Sequence, residues 1–302
     1  GQFSTRGRGQ WFGVTHGLST CPEQSISRCR LYPLKFINSY RTRRNTVLLL
    51  IDVGNTNITL GISAEGQLIH DWRLSSQTGL TSDEFWVMLS TLLTPKGISA
   101  SDIDGIAMSS VVPDLSPIIE TAIFQQLDAS FVNVTSKLDL GITIDYEKPE
   151  DVGADRLCNA VAGFQRYGGP LVIVDFGTAT TFDILSAAGQ YLGGIIAPGP
   201  ETTAKVLHAA AAMLPAVKTE FPTTLIGRTT EASIQSGLMF GGVAMIDGLN
   251  RQLTAELGSD TRIIATGGLA NLFLPHFETV EAIDPNLTLI GLQLIFERCA
   301  AA

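Results

Sequence analysis

Residues Val47 to Ile62 read VLLLIDVGNTNITLGI, and the fold follows from this stretch. An unbroken apolar run, Val47 to Ile51, leads into Asp52. Gly54-Asn55-Thr56-Asn57 are turn residues, and apolar positions then alternate at Ile58, Leu60 and Ile62. A short apolar run bounded by turn residues reads as a buried strand, a tight turn and a second strand. An aspartate at the mouth of a buried strand, followed by glycine and short hydroxyl or amide side chains, is a way to hold phosphate. Backbone amides point inward, the Thr56 and Thr59 hydroxyls donate, and the carboxylate holds a cation that neutralises the anion. Taken alone, the same residues would also make an ordinary hairpin.

The stretch does not stand alone. From Leu171 the chain reads LVIVDFGTATTFDIL, again an apolar strand, an aspartate (Asp175), a turn (Gly177-Thr178-Ala179-Thr180-Thr181) and an alternating strand. Arg262 to Ala270 (RIIATGGLA) adds an apolar strand entering a double-glycine turn. Two Asp-x-Gly hairpins followed by a strand and a Gly-Gly turn are hard to produce by core packing alone, and they raise the phosphate reading above the ordinary hairpin.

Between these pieces the pattern alternates. Gln67–Leu74 continues the first hairpin through a Glu65-Gly66 turn. Thr81 and Glu84 form a capping box for a helix carrying Phe85, Val87, Met88, Leu89 and Leu92, which ends before Pro95. Ile103–Val112 reads as a buried strand, Leu115 to Gln126 as a helix and Phe131–Val134 as a strand. Strands alternating with helices after an antiparallel start give an α/β chain with a mixed sheet. Gly153-Ala154-Asp155-Arg156 then falls at the N-terminus of a helix through Leu157, Val161 and Phe164, where the free amides and the dipole favour anions. The plainer reading makes Asp155 a helix-start residue and Arg156 a surface charge. The segment from Tyr191 to Pro200 reads as a glycine- and proline-rich loop that closes over something. Thr202 to Leu214 reads as a helix with His208 on a polar face or in the core. Gly227 to Glu231 opens another helix, capped by Thr229 or Thr230, whose Gly241-Gly242 and Ala244 suit close approach at an interdomain or subunit interface. Leu287 to Arg298 is the last helix.

The 302 residues allow two domains and a sizeable core. Hydrophobic residues make up 45% and charged residues 16%, with no apolar run of the ~18 residues that a membrane span needs. The four cysteines (Cys21, Cys29, Cys158, Cys299) show no CxxC pairing, which argues against zinc or a disulfide framework and fits a reducing compartment. Cys158 fits as a small buried hydrophobe.

The net charge of −9 is unevenly spread. Residues 1–46 hold eight basic side chains and one acid, leaving 12 of the 20 basic and 28 of the 29 acidic residues to the rest, a formal −16. So acidic a body is a poor partner for nucleic acid, which needs clustered cations. Residues 1–46 are Arg-, Ser- and Gly-rich without periodicity. That is the composition of an organellar transit peptide, or of an upstream stretch foreign to the native protein, and either way it lies outside the fold.

Four motifs in order, Asp52-Val-Gly-Asn-Thr56, Gly153-Ala-Asp-Arg156, Asp175-Phe-Gly-Thr-Ala-Thr-Thr181 and Ala265-Thr-Gly-Gly268, resemble those of the bacterial type III pantothenate kinases, members of the actin-like ATPase and sugar-kinase superfamily. The resemblance spans Val47 to about Arg298. It implies two ribonuclease-H-like (actin-like ATPase) domains, 47–167 and 168–302, each a mixed sheet flanked by helices with ATP in the cleft between them. It also implies ATP-dependent phosphorylation of pantothenate, the first step of coenzyme A biosynthesis, by a cytoplasmic homodimer (organellar if residues 1–46 are a genuine transit peptide). Carried over by position, Asp52, Val53, Gly54, Asn55, Thr56, Asn57, Ile58 and Thr59 hold the ATP phosphates, with Asp52 near magnesium and Thr178 also on ATP. Asp175 matches the ligand of a monovalent cation, potassium or ammonium. Asp155 matches the proton acceptor, and Gly153, Ala154, Asp155 and Arg156 the pantothenate-binding turn. Tyr146 and Thr230 match two further pantothenate contacts, the threonine reaching across from the neighbouring subunit. Arg156 pairs with either the substrate carboxylate or the transferring phosphoryl group.

The chain departs from the family pattern at Pro200-Glu201-Thr202-Thr203, in Tyr146-Glu147-Lys148-Pro149 and in residues 1–46. It contains no GxxxxGK[ST], GxGxxG or GxSxG, so P-loop, Rossmann and serine-hydrolase readings lack their central residues. Another small-molecule kinase or a phosphatase of the superfamily remains as a rival, as does a non-catalytic regulatory member. The latter predicts a degraded catalytic set, whereas Asp52, Asp155, Arg156 and Asp175 are all present.

Overall fold

A computed structural model describes residues 46–301; the reading of residues 1–46 as an extension therefore falls almost wholly outside the described residues. Two sheets share one plan. The first contains β1 (Val47–Val53), β2 (Asn57–Ala64), β3 (Gln67–Ser75), β4 (Gly105–Ser110) and β5 (Ser130–Asn133) in the order β3-β2-β1-β4-β5. The second contains β6 (Thr143–Ile144), β7 (Leu171–Phe176), β8 (Ala179–Leu185), β9 (Gln190–Pro198), β10 (Arg262–Gly267) and β11 (Ala282–Ile283) in the order β11-β10-β7-β8-β9-β6. In each, three antiparallel strands form a meander and two further strands continue in parallel beyond its first strand; in the second sheet β6 also adds in parallel to β9 at the far edge. The sequence repeat at Asp52 and Asp175 is thus a repeat of the fold.

The helices are α1 (Ser82–Leu93), α2 (Ser116–Gln126), α3 (Ala154–Tyr167), α4 (Pro200–Ala210), α5 (Thr230–Leu257), α6 (Ala270–Phe273) and α7 (Leu287–Ala301). Three cores separate the layers. Leu49, Ile51, Val53, Ile58 and Leu60 pack with Phe85 and Leu89 of α1 and Ile119 and Ile123 of α2. Val172, Val174 and Phe176 pack with Ala204 of α4, Leu238 and Met239 of α5 and Phe273 of α6. Between the sheets, Leu48 and Leu50 join Leu171 and Ile173 around Leu157 of α3 and Leu292 of α7.

Strand periodicity then fixes the functional residues. Side chains alternate faces along a strand, so Asp52 follows Leu48 and Leu50 onto the inner face, and Asp175 follows Leu171 and Ile173. Both aspartates therefore look toward the layer between the sheets.

Several expectations shift. Residues 190–198 form strand β9 rather than a loop, hydrogen-bonded to β8 on one side and to β6 on the other. The alanine-rich helix ends at Ala210 instead of running on to Leu214, and exposed His208 turns its Nδ1 to the Leu214 carbonyl at 2.7 Å. Thr229, not Thr230, caps α5, accepting from the Ala232 amide. The strand expected over Ile103–Val112 is confined to Gly105–Ser110. The Thr81/Glu84 capping box forms as read, and Cys158 is fully buried.

Candidate active site

The two hairpin tips meet: the hydroxyls of Thr56 and Thr178 lie 2.8 Å apart. Each tip is stiffened by its own backbone. The Gly54 amide donates to the Asn57 carbonyl (2.9 Å) and the Gly177 amide to the Ala179 carbonyl (3.0 Å), so neither N–H is left for a phosphate. Around them, Ser76 Oγ donates to the Gly54 carbonyl (2.6 Å) and Thr202 Oγ1 to the Thr178 carbonyl (2.6 Å). Asn55 and Thr56 are exposed at the tip, Asn57 and Thr59 half-buried, while Val53 and Ile58 turn their side chains into the core. Their backbones belong to the sheet, Val53 paired with Ser110 and Ile58 with Leu74, and the Val53 carbonyl accepts from the Val111 amide at 3.0 Å.

Below the tips lie three aspartates. Asp52, at the end of β1, accepts from Ser109 Oγ at 2.8 Å. Asp175, at the end of β7, accepts from Asn159 Nδ2 at 2.8 Å, and Asn159 is itself held by the Thr288 hydroxyl of α7 at 2.8 Å. Asp155 sits in the first turn of α3, where its Oδ1 accepts from the Arg156 amide at 2.8 Å. Burial pushes Asp52 up to about 7, helped by the charge of Asp155, while Ser109 and Arg73 pull the other way. Burial likewise lifts Asp175 to about 6 against the Asn159 hydrogen bond, and raises Asp155 above the ordinary carboxylate range. Clustered acids that resist ionisation call for cations. Among the described residues no three acidic, His or Cys side chains converge as a closed metal cage. Magnesium characteristically takes one or two carboxylates and completes its shell with water and substrate phosphate, and Asp52 fits that role. Gly267, in the Ala265-to-Gly268 turn, has φ +91° and a β-carbon there would overlap Asp175 Oδ1, so the double glycine packs directly on this carboxylate.

Arg156 is buried rather than a surface charge. Its Nε donates to Asp183 Oδ1 at 2.7 Å and its Nη2 to the Phe182 carbonyl at 2.9 Å, and Tyr191 donates to the same Asp183 oxygen at 2.8 Å. Asp183 is wholly buried and its Oδ2 has no partner among the described residues; burial pushes it up to about 7 although Arg156 opposes the shift. Sequence reasoning passed over Asp183, yet a lone acid between the apolar residues of the strand TTFDIL was a usable signal. Tyr146 lies beside this group, its ring centroid 6.4 Å from that of Tyr191. The candidate residues are thus brought together with one exception. Thr230 is exposed at the head of α5, and no interaction among the described residues links it to the rest.

Comparison with known proteins finds one family over most of the chain. The family model described as type III pantothenate kinase matches residues 48–252. The type III pantothenate kinase of Moorella thermoacetica is 43% identical over 252 residues, covering 83% of this chain and 99% of the relative. That of Solibacter usitatus is 42% identical over 252 residues, 83% of this chain and 97% of the relative. A solved structure from Campylobacter jejuni, described as a Baf family transcriptional activator, superposes with a TM-score of 0.50 at 20% identity, covering 84% of this chain and 98% of that one; it bears on the fold alone.

Proposed function

The chain belongs to the type III pantothenate kinase family, and from that premise we propose how its cleft phosphorylates pantothenate. The reaction forms a bond between the primary hydroxyl oxygen of pantothenate and the γ-phosphorus of ATP, breaks the bond from that phosphorus to the β–γ bridging oxygen, and releases ADP. Such transfers depend on positioning and charge neutralisation more than on covalent help. The observation that carries the proposal is the placement of Asp155 at the α3 N-terminus, close enough to Asp52 and Asp175 that its charge raises both.

Asp155 takes the hydroxyl proton as the bond to phosphorus forms. Asn55, Thr56, Asn57, Thr59 and Thr178 hold the phosphates by side chain, while Gly54, its amide already bonded to Asn57, and the core residues Val53 and Ile58 shape the hairpin that presents them. Gly153 to Arg156 and Tyr146 seat pantothenate, with Arg156 locked on Asp183 and facing the substrate as a fixed cation. Magnesium at Asp52 and a monovalent cation, potassium or ammonium, at Asp175 supply when bound the positive charge that the three aspartates lack. The division of the chain into lobes 47–167 and 168–302 belongs to this reading, with α7 bridging back to the first sheet.

A homodimer is part of the proposal. Thr230 stands apart from the cluster in its own chain, so its contact with pantothenate comes from a neighbouring subunit. Along α5, Gly237 and Gly241 have no neighbouring atoms where a β-carbon would sit, which leaves a small-residue surface for a second copy. Among the described residues Cys158 and Cys299 are free thiols, and a cytoplasmic location belongs to the proposal. Among the described residues no helix is long and apolar enough to cross a membrane.

Asp155→Asn tests the base directly. Turnover should fall by about 10²–10⁴-fold, while calorimetric ATP affinity stays at the wild-type value. A variant that keeps most of its turnover would remove Asp155 from this role.

A further inference from the structure

Arg73 has no role in the mechanism above, yet three observations place it at the cleft. The first is register. Asp52 pairs with Ser109 on β4 and with Thr59 on β2, and Thr59 pairs with Arg73 on β3. Directly paired residues project from the same face of a sheet, so Ser109, Asp52, Thr59 and Arg73 form one row across four strands. Trp72 and Leu74, to either side, pack instead into the outer core with α1 and α2, so the row faces the layer between the sheets.

The second is reach. Arg73 Nη1 lies 2.8 Å from where a β-carbon on Gly268 would sit, so the side chain spans from the first sheet to the double-glycine turn of the second. The third is that this cation is uncommitted. Arg156 is spent on Asp183 and the Phe182 carbonyl, whereas Arg73 makes no hydrogen bond or ion pair among the described residues and remains exposed. Its charge is nonetheless felt by both Asp52 and Asp175.

We infer that Arg73 is a nucleotide-binding residue, whose guanidinium contacts the phosphate chain of ATP from the lip of the cleft opposite Thr178. The inference rests on the phosphoryl-transfer reading of the cleft. A planar guanidinium with a fork of donors suits phosphate oxygens, and a chain carrying −16 outside its first 46 residues has few other cations to offer a polyanion. With ATP bound, Arg73 would also tie the phosphates to the Gly267-Gly268 turn.

The test is ATP binding to the full chain with magnesium and without pantothenate, measured by calorimetry across a salt series for wild type, Arg73→Gln and Arg73→Lys. Loss of a charge-assisted contact should weaken ATP binding by about tenfold or more in Arg73→Gln, with partial recovery in Arg73→Lys. The dependence of affinity on salt should flatten in Arg73→Gln, because one screened ionic contact has gone; a merely structural role would leave that slope unchanged. ATP affinity within twofold of wild type, or a weakened affinity with an undiminished salt slope, would overturn the inference. A folded wild-type chain that bound no ATP would instead overturn the parent reading, and this one with it.

Discussion

Asp155 is raised by burial, and that has a kinetic consequence. A general base must be ionised to accept a proton, so kcat/KM should fall as pH drops through the pKa of Asp155 in the folded enzyme. Because that pKa lies above the ordinary 3.8, the acid limb of the profile should be displaced upward from there. An acid limb at or below the ordinary aspartate value would contradict the burial described here. Asp183 offers a second residue-level test. It is fully buried with Arg156 nearly so, and deleting one partner of a buried ion pair leaves the other charge uncompensated. Asp183→Ala should therefore cost about 3–5 kcal/mol of stability by denaturant unfolding, and in the surviving folded fraction KM for pantothenate should rise more than KM for ATP. Asp183→Asn, which keeps an acceptor for the guanidinium, should recover part of both. If Asp183→Ala were neutral in both respects, Asp183 would not be what holds Arg156.

At the scale of elements, β9 carries the most instructive difference between sequence and structure. Gly193, Gly194 and the prolines at 198 and 200 read as loop punctuation, because glycine weakens a strand and proline ends one. Gly194 is there for a packing reason instead: a β-carbon at 194 would overlap Arg156 Nη2 and the Phe182 carbonyl oxygen, so the strand leaves room for the guanidinium. Gly194→Ala should displace Arg156, raising KM for pantothenate with little change in ATP affinity. Equal kinetics for the two proteins would show that Arg156 does not depend on this clearance. The strands of both hairpins were legible because apolar alternation and an Asp-x-Gly turn are local signals. Arg73 was not, since QLIHDWRLS alternates charge and apolar residues as any solvent-facing strand would. Only the pairing of three strands sets Arg73 beside Asp52, and register across a sheet is not written in one strand.

On the scale of the whole molecule, the duplicated plan explains why the site lies where it does. Each meander ends its first strand in an inward aspartate, and the tips of the two hairpins touch through Thr56 and Thr178. The repeat itself was visible in sequence at Asp52 and Asp175. The return of α7 was not: Thr288 and Leu292 reach Asn159 and the core between the sheets from more than 100 residues downstream, and nothing near residue 290 announces that destination. Thr230 is the reverse case: the family resemblance named it as a contact from a neighbouring subunit, and among the described residues nothing links it to the cluster of its own chain. The measurement that tests the central claim most directly is product formation by the purified chain. ATP, pantothenate and magnesium are incubated with and without potassium, and 4′-phosphopantothenate and ADP are quantified together. The account predicts equal amounts of the two products, formed faster with potassium. A folded chain that binds ATP yet yields no phosphopantothenate under either salt condition would contradict it.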